Sequence, residues 1–275
     1  MNRARSFRSL LAIAAVAGLA LTGCAAAAPT DAPPGDAVSS SPATETTTDT
    51  DLSGKLTIYA AASLQRAFDE ISTAFETAHP GVEVAPIVYD GSSTLVTQLS
   101  EGAAADVFAS ADEANMEKAV IAELATDPAI FATNSLVVAT PVGNPGEVTT
   151  LTDLADPEQK VVLCAPEVPC GAASTRLLEG AGLVVTAKSF EQSVTAVLTK
   201  IAEGVADAGL VYRTDAAGRD DVESFTPEGA ADVVNRYPIA ALSDADAPDI
   251  ADAFVEYVQS TAGQAILAEY GFGAP

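Results

Sequence analysis

Short apolar runs alternate along this chain with segments whose apolar residues recur every three or four positions. The runs have the length of buried strands, and the segments between them have the spacing of amphipathic helices. One predicted helix, for example, carries Leu64, Phe68, Ile71 and Phe75 on a single face and ends at the AHPG stretch. The predicted strands are, in chain order, KLTIYAAA, VEVAPIVY, ADVFAS, NSLVVATP, KVVLCAP, VVTAKSF, DAGLVY and VVNRYPIAAL.

The order of these elements predicts an α/β fold with two lobes. Strands alternate with helices, which favours mainly parallel sheets flanked by helices, and the pattern restarts after NSLVV. In the second series, helices are predicted at residues 172–179 and 192–203. Because the chain returns through the extended stretch RYPIAAL, we assign residues 54–134 plus 238–275 to lobe 1 and residues 135–237 to lobe 2. A cleft between the lobes is expected.

The first 53 residues are predicted to be outside the fold. Arg3, Arg5 and Arg8 precede an apolar run that is too short to span a bilayer, so residues 1–23 read as a signal peptide. The LTGC stretch resembles a bacterial lipobox, which implies cleavage before Cys24 and acylation of its sulfur. Residues 24–53 then form a flexible tether rich in Ala, Pro, Thr and Ser. We expect an extracytoplasmic protein that meets the membrane through this lipid alone; a chance cysteine in an uncleaved anchor is the alternative.

Charge and residue content exclude several functions. The formal net charge is −25, which repels nucleic acid and anionic membrane surfaces. The single histidine, His79, excludes an HExxH zinc site and is the only imidazole base that a catalytic triad has available. The chain also lacks the GxGxxG, P-loop and GxSxG motifs. We therefore predict no enzyme and no metal held by side chains; an exported hydrolase that uses Ser92 or Ser93 stays open as an unfavoured alternative.

Cys164 and Cys170 are the only cysteines after Cys24, and they lie in the short stretch LCAPEVPC. In an exported protein such a local pair favours a disulfide. We predict that the two residues are bonded.

Small or hydroxyl residues stand at four junctions where a predicted strand meets a helix: AAASL, DGSS, VPCGAAS and SFEQSV. Ligands of open α/β sheets bind beyond the carboxyl ends of strands, where helix N-termini carry a partial positive charge that attracts anions. Ser63 in the first junction has a simpler alternative role as a helix N-cap. Tyr212, at the end of AGLVY, has the alternative of filling the edge of the core.

Several stretches, taken in order, closely resemble the periplasmic molybdate-binding proteins of ABC importers. They are AAASL, GSSTLVTQLSEGAAADVFASAD, NSLVV, PEVPCG, AGLVYRTDA and YGF, and the resemblance covers nearly all of residues 54–273. It implies a two-lobed periplasmic-binding-protein fold that closes over molybdate or tungstate and delivers the ion to a membrane permease. It also implies that no cofactor is needed, and we expect a monomer.

The resemblance assigns five positions to the oxyanion. Ser63, Ser92 and Tyr212 match hydroxyl donors, whereas Cys170 and Val194 match positions that donate through a backbone N–H. Relatives often have alanine where this chain has Cys170.

Asp90 is a second departure, because relatives commonly have a neutral residue two positions before the serine. Its carboxylate either points to solvent or caps the following helix, or it accepts the proton of an ion such as phosphate. Receptors for sulfate, phosphate or another oxyanion therefore remain as alternatives.

Overall fold

The computed structural model describes residues 52–275. The predicted signal peptide, the lipid site at Cys24 and nearly all of the tether lie outside the described residues. From residue 52 onward, no helix combines the length and apolar character that crossing a membrane requires.

Eleven strands are found among residues 52–275, nine of them in one sheet. The strands are β1 Ser53–Leu56, β2 Ile58–Ala61, β3 Gly81–Val84, β4 Val88–Asp90, β5 Val107–Ala109, β6 Ala129–Pro141, β7 Val161–Cys164, β8 Ser189–Glu191, β9 Ala208–Tyr212, β10 Val222–Phe225 and β11 Val234–Ala241. The sheet order is β4-β2-β5-β11-β6-β9-β7-β8, with β10 beside β6, while β1 pairs only with β3.

Helices follow most of the parallel strands and cover the sheet. The predicted apolar face of the first helix is confirmed, because Leu64, Phe68, Ile71 and Phe75 are all fully buried. The α-helices are α1 Gln65–Ala78, α2 Ser92–Ser100, α3 Glu113–Ile121, α4 Pro169–Gly180, α5 Val194–Ala202, α6 Arg213–Ala216, α7 Pro248–Gln259 and α8 Thr261–Glu269. The α/β class predicted from the pattern is therefore confirmed.

Strands β6 and β11 connect two groups of parallel strands. β2 pairs in parallel with β4 and β5, and β7 pairs in parallel with β8 and β9. β6 pairs antiparallel with β11 along its first half and with β9 and β10 along its second half. The predicted lobe boundaries, at 134/135 and 237/238, fall within this pair of strands. The division of the chain at those residues stays a prediction.

Two predicted strands are each broken in two. KLTIYAAA is interrupted at Thr57, whose N–H donates to Asp106 Oδ2 (2.7 Å) and whose carbonyl accepts the N–H of Asp106 (2.8 Å). VEVAPIVY is interrupted around Pro86, which has no N–H to add to a ladder. Its first part pairs with β1 and its second with β2. The apolar pattern gave no sign of the break at Thr57, whereas Pro86 is itself a residue that interrupts a strand.

Other element bounds also differ from the prediction. The strand predicted in VVTAKSF is limited to β8, and Val184 is 86% exposed. β6 begins at Ala129, before the NSLVV stretch. Helix α4 begins at Pro169, which suits a first helical position, and α5 begins after Ser193, whose Oγ accepts the N–H of Ala196 (3.3 Å).

The predicted disulfide between Cys164 and Cys170 is present and links the end of β7 to the first turn of α4. Both residues are buried. The loop that they close is compact: a Cβ on Gly171 would lie 1.9 Å from the carbonyl oxygen of Ala165, so only glycine fits there. The bridge and this close approach together fix where α4 begins.

Asp215 closes the first turn of the short helix α6 by accepting the N–H of Tyr212 at Oδ2 (3.0 Å). Burial raises the pKa of Asp215 from 3.8 to about 7, although that hydrogen bond and the charges of Arg219 and Arg66 oppose the shift. The folded protein therefore holds this proton at pH values where the unfolded chain has lost it.

We predict that Asp215→Asn stabilises the protein at pH 8 more than at pH 4. In the parent, ionisation of Asp215 in the unfolded chain begins near pH 4 and in the fold near pH 7, so this residue lowers stability as pH rises through that window. The substitution keeps an oxygen acceptor for Tyr212 and should add about 1–3 kcal/mol at pH 8. Urea unfolding at both pH values measures the difference.

Asp153→Asn is the matched control, since backbone hydrogen bonds from Thr149 and Thr150 lower the pKa of Asp153. That substitution should cost stability at pH 8, the opposite sign. Equal effects of Asp215→Asn at pH 4 and pH 8 would contradict the account of Asp215.

Candidate functional site

A small pocket lies where several helices begin. It is formed at the 3₁₀ turn Ala62–Leu64 before α1, at the first residues of α2, α4 and α5, and at the end of β9. All five residues that the sequence assigned to a ligand line this pocket: Ser63, Ser92, Cys170, Val194 and Tyr212. Residues that are distant in sequence thus line one pocket.

The helix starts around the pocket leave backbone N–H groups without side-chain caps. The residues that precede the 3₁₀ turn, α2 and α4 are Ala61, Gly91 and Val168, and none of them accepts a capping hydrogen bond with its side chain. Unpaired N–H groups and the helix dipole give each such start a partial positive charge. The pocket is therefore suited to an anion although no Lys or Arg lines it.

Ser63 and Tyr212 both line the pocket, and each hydroxyl contacts a buried polar side chain. Ser63 Oγ lies 2.9 Å from Tyr237 Oη, and the Asn134 amide nitrogen donates to that same phenol (3.3 Å). Tyr212 Oη accepts a hydrogen bond from Asn235 Nδ2 (2.7 Å). These contacts fix the positions of both hydroxyl oxygens.

Ser92 is the first residue of α2 and is 1% exposed. Its Oγ accepts the N–H of Ala111 (3.0 Å), the residue that follows the strand-end serine of ADVFAS. The simple interpretation of Ser63 as an N-cap is not what the structure shows, since α1 has no side-chain cap.

Burial keeps the Tyr212 phenol protonated. Its side chain is 1% exposed, and desolvation raises its pKa well above 10, with further contributions in the same direction from Tyr237, Asp112 and Asp215. Tyr212 is thus a neutral hydroxyl throughout the physiological pH range. It fills the core edge, as the alternative held, and it also lines the pocket.

Asp90 is the one residue of the pocket lining that carries a carboxylate. Its Oδ1 accepts the N–H of Gly91 (2.7 Å), and Gly91 is itself the residue that precedes α2. Of the two structural interpretations of Asp90, a cap of this helix is not seen, because no side chain caps α2, whereas the residue is partly exposed to solvent. Asp90 instead places an acceptor beside a set of donors.

Gly91 also lies at a close backbone approach beside the pocket. A Cβ at this position would lie 2.0 Å from the carbonyl oxygen of Gln192 and 3.3 Å from Val168 Cγ1. Gln192 and Val168 precede α5 and α4, which the sequence places in the other lobe. Glycine is required here by this contact, since its φ of −61° suits any residue.

A larger cavity lies elsewhere, between α4 and the segment that follows β10, and it includes Thr149, Arg176 and Asp232. None of the five predicted residues lines it. We assign the candidate site to the smaller pocket, because hydroxyls and uncapped helix starts converge there.

The arrangement gives no support to a serine nucleophile. His79 follows the last residue of α1, and its ring packs 4.6 Å from the ring of Phe75. Ser63 lies just before this 14-residue helix, whose length is about 21 Å. Ser93 Oγ is buried and has no hydrogen-bond partner in the part of the chain that the structure describes. The chain's one imidazole is therefore remote from Ser63 and from the pocket that Ser63 shares with Ser92, one of the two serines considered for a hydrolase.

Sequence reasoning missed Asn134, Asn235, Tyr237 and Gly91 as parts of the site. A signal was present in the two long strands, where NSLVV and VVNRYP each place an asparagine within an apolar run. Both asparagines are buried, and a buried amide requires partners.

The comparisons agree with this picture of the fold. Residues 56–273 match the family described as bacterial extracellular solute-binding protein. The chain is 44% identical to the molybdate-binding protein ModA of Mycobacterium tuberculosis over 239 residues, which cover 86% of this chain and 91% of the relative.

Two solved structures have the same fold. One is the periplasmic molybdate-binding protein of Azotobacter vinelandii, with a TM-score of 0.70 and 22% identity over 80% of this chain and 99% of the other. The second is the sulfate-binding protein SubI of Mycobacterium tuberculosis, with a TM-score of 0.69 and 19% identity over 79% and 86% of the two chains. The predicted two-lobed fold class is thereby confirmed, and the family consists of solute-binding proteins rather than enzymes. The chain belongs to the bacterial extracellular solute-binding protein family.

Proposed function

We propose that this protein captures molybdate or tungstate outside the cytoplasm and delivers the ion to the membrane permease of an ABC importer. The observation that carries the proposal is the convergence of Ser63, Ser92, Cys170, Val194 and Tyr212 on one pocket. The 44% identity to a molybdate-binding protein supports the choice of ion.

In this proposal the ion is held entirely by neutral donors. Ser63, Ser92 and Tyr212 donate from hydroxyls, and Cys170 and Val194 donate from backbone N–H groups in the first turns of α4 and α5. Hydrogen bonds to a charged oxygen are stronger than those between neutral groups, and the helix starts add favourable dipoles. Binding then requires no cofactor, since every donor comes from the chain.

The sequence supports attachment through a lipid on Cys24, followed by the tether of residues 24–53. The protein then acts as a monomer close to the membrane that holds its permease. The lipobox motif and the polar composition of the tether support this arrangement.

Sulfate and phosphate are the competing ligands. The fold alone does not separate them from molybdate, because a sulfate-binding protein has a similar structure. Asp90 is the feature that bears on phosphate, since a carboxylate accepts the proton that phosphate carries near neutral pH.

Calorimetric titration of the purified protein tests the function directly. We expect molybdate and tungstate to bind at least 100-fold more tightly than sulfate or phosphate. A clear preference for phosphate would instead assign the role of proton acceptor to Asp90. The absence of binding for all four ions would overturn the proposed function.

Removing single donors tests the site. Ser63→Ala and Tyr212→Phe should each weaken molybdate binding by roughly 10- to 150-fold, because a hydrogen bond to a charged group contributes about 1.5–3 kcal/mol. The loss should be seen in calorimetry, and unfolding midpoints without ligand should change much less. Ser93→Ala is the matched control: Ser93 is the buried neighbour of Ser92 and does not line the pocket. If Ser63→Ala and Tyr212→Phe bind as tightly as the parent, the site assignment fails.

Gly91→Ala tests whether the pocket must close for binding. The added methyl would meet the Gln192 carbonyl, so the two sides must separate by more than 1 Å, and we expect affinity for molybdate to fall at least 10-fold. The unfolding midpoint of the unliganded protein should change little. Gly180→Ala at the end of α4 is the control, because a Cβ there meets no atom within 4 Å. Unchanged affinity in Gly91→Ala would show that closure at this contact is not needed.

A further inference from the structure

We propose that Asn235 and Tyr237 are positioning residues that fix the direction of the pocket's hydroxyl protons, so that Tyr212 and Ser63 each donate toward the ligand. The inference rests on the proposed function, since it states how that site selects an anion. It concerns two residues of β11 that do not line the pocket.

The orientation of the Asn235 amide is determined by its partners on both sides. Its nitrogen donates to the carbonyl oxygen of Ala111 (3.0 Å), which can only accept. Its oxygen accepts from Arg176 Nη2 (3.2 Å), which can only donate. The nitrogen is therefore the atom that lies 2.7 Å from Tyr212 Oη, and the phenol must accept this hydrogen bond.

A phenol that accepts from Asn235 keeps its single proton for another partner. Tyr212 lines the pocket and is otherwise buried, so the remaining direction is toward the ligand. Asn235 thus makes Tyr212 a donor to the pocket.

The direction of the Ser63 proton is set by a longer series of hydrogen bonds. The oxygen of Asn134 accepts the N–H of Ser135 (3.0 Å), so its nitrogen is the group that donates to Tyr237 Oη (3.3 Å) and to Thr214 Oγ1 (2.8 Å). Tyr237 accepts there, and its own proton then goes to Ser63 Oγ at 2.9 Å. Ser63 keeps its proton for the pocket.

Ser92 also keeps its proton for the pocket, because its Oγ accepts a hydrogen bond from the backbone N–H of Ala111. The three pocket hydroxyls are thus all supplied with a donor from the protein, and all three protons remain for the ligand. An oxyanion without protons offers only acceptors, which matches such a lining. A protonated oxyanion has to turn its O–H toward one of these donors, which is unfavourable, unless that O–H faces Asp90, the one carboxylate of the lining.

A double-mutant cycle between Asn235 and Tyr212 tests the first chain. Asn235→Leu keeps approximate volume and removes the amide, and calorimetry with molybdate measures the parent, both single variants and the double variant. We expect Asn235→Leu to weaken binding about 10-fold in the parent and less than threefold when Tyr212→Phe is already present, because Asn235 acts through that hydroxyl. Equal factors in both backgrounds, or no effect of Asn235→Leu in the parent, would overturn the proposal.

The second double-mutant cycle combines Tyr237→Phe with Ser63→Ala. If Asn235→Leu fails to fold, this second cycle tests the proposal. Tyr237→Phe keeps a ring that packs against Phe131 and Phe272, so the fold should survive. It should weaken molybdate binding about fivefold to 10-fold alone and by less than twofold beside Ser63→Ala. Tyr257→Phe is the matched control, since Tyr257 packs on Phe75 away from the pocket and should not change affinity.

The two proposals fail in different ways. A parent protein that binds none of the four oxyanions overturns the proposed function, and this inference with it. A parent that binds molybdate while both cycles give independent effects leaves the function in place and overturns only the roles of Asn235 and Tyr237.

Discussion

The hydrogen-bonded pairing of β6 with β11 is the interaction on which the rest of the structure depends. These two antiparallel strands join the parallel group around β2 to the group around β7. Because parallel strands deliver helix N-termini to one edge of a sheet, joining the two groups through this pair lets helix starts from both meet at one pocket. The same strands carry Asn134, Asn235 and Tyr237, so the pairing also places the groups that contact the pocket hydroxyls.

Neutral donors can hold an anion in a protein whose formal net charge is −25. At physiological ionic strength the surface charge is screened beyond about 8 Å, so attraction has to come from groups at the pocket itself. No lysine or arginine lines the pocket to supply that attraction. Hydroxyls and backbone N–H groups instead point in fixed directions, and the disulfide from Cys164 to Cys170 keeps the first turn of α4 in its place. Such a lining selects an anion by the positions and directions of its donors.

The sequence was sufficient for features that depend on local pattern. Phe68, Ile71 and Phe75 were assigned to the core from spacing alone. Ser63, Ser92 and Tyr212, which line one pocket, were implied as site residues by the resemblance to a known family and not by local pattern. Features that depend on distant partners were not accessible. Thr57 breaks a strand because Asp106, 49 residues later, binds its backbone. The contact of Gly91 with Gln192 spans an even longer separation, and no local pattern encodes it.

Asp90 shows how a single residue can set the balance of such a pocket. Around it, the hydroxyls of Ser92 and Tyr212 each accept one hydrogen bond from a protein donor, so their protons remain for the pocket. One oxygen of Asp90 is engaged in the same way by the N–H of Gly91 (2.7 Å), which leaves the other as the lining's carboxylate acceptor. A carboxylate near a dianion is unfavourable, and the uncapped start of α2 beside it offsets that cost in part. The ion that this pocket prefers therefore depends on whether the ordered donors outweigh one acceptor. Since the donors are three hydroxyls and several helix starts, the balance favours an oxyanion that carries no proton.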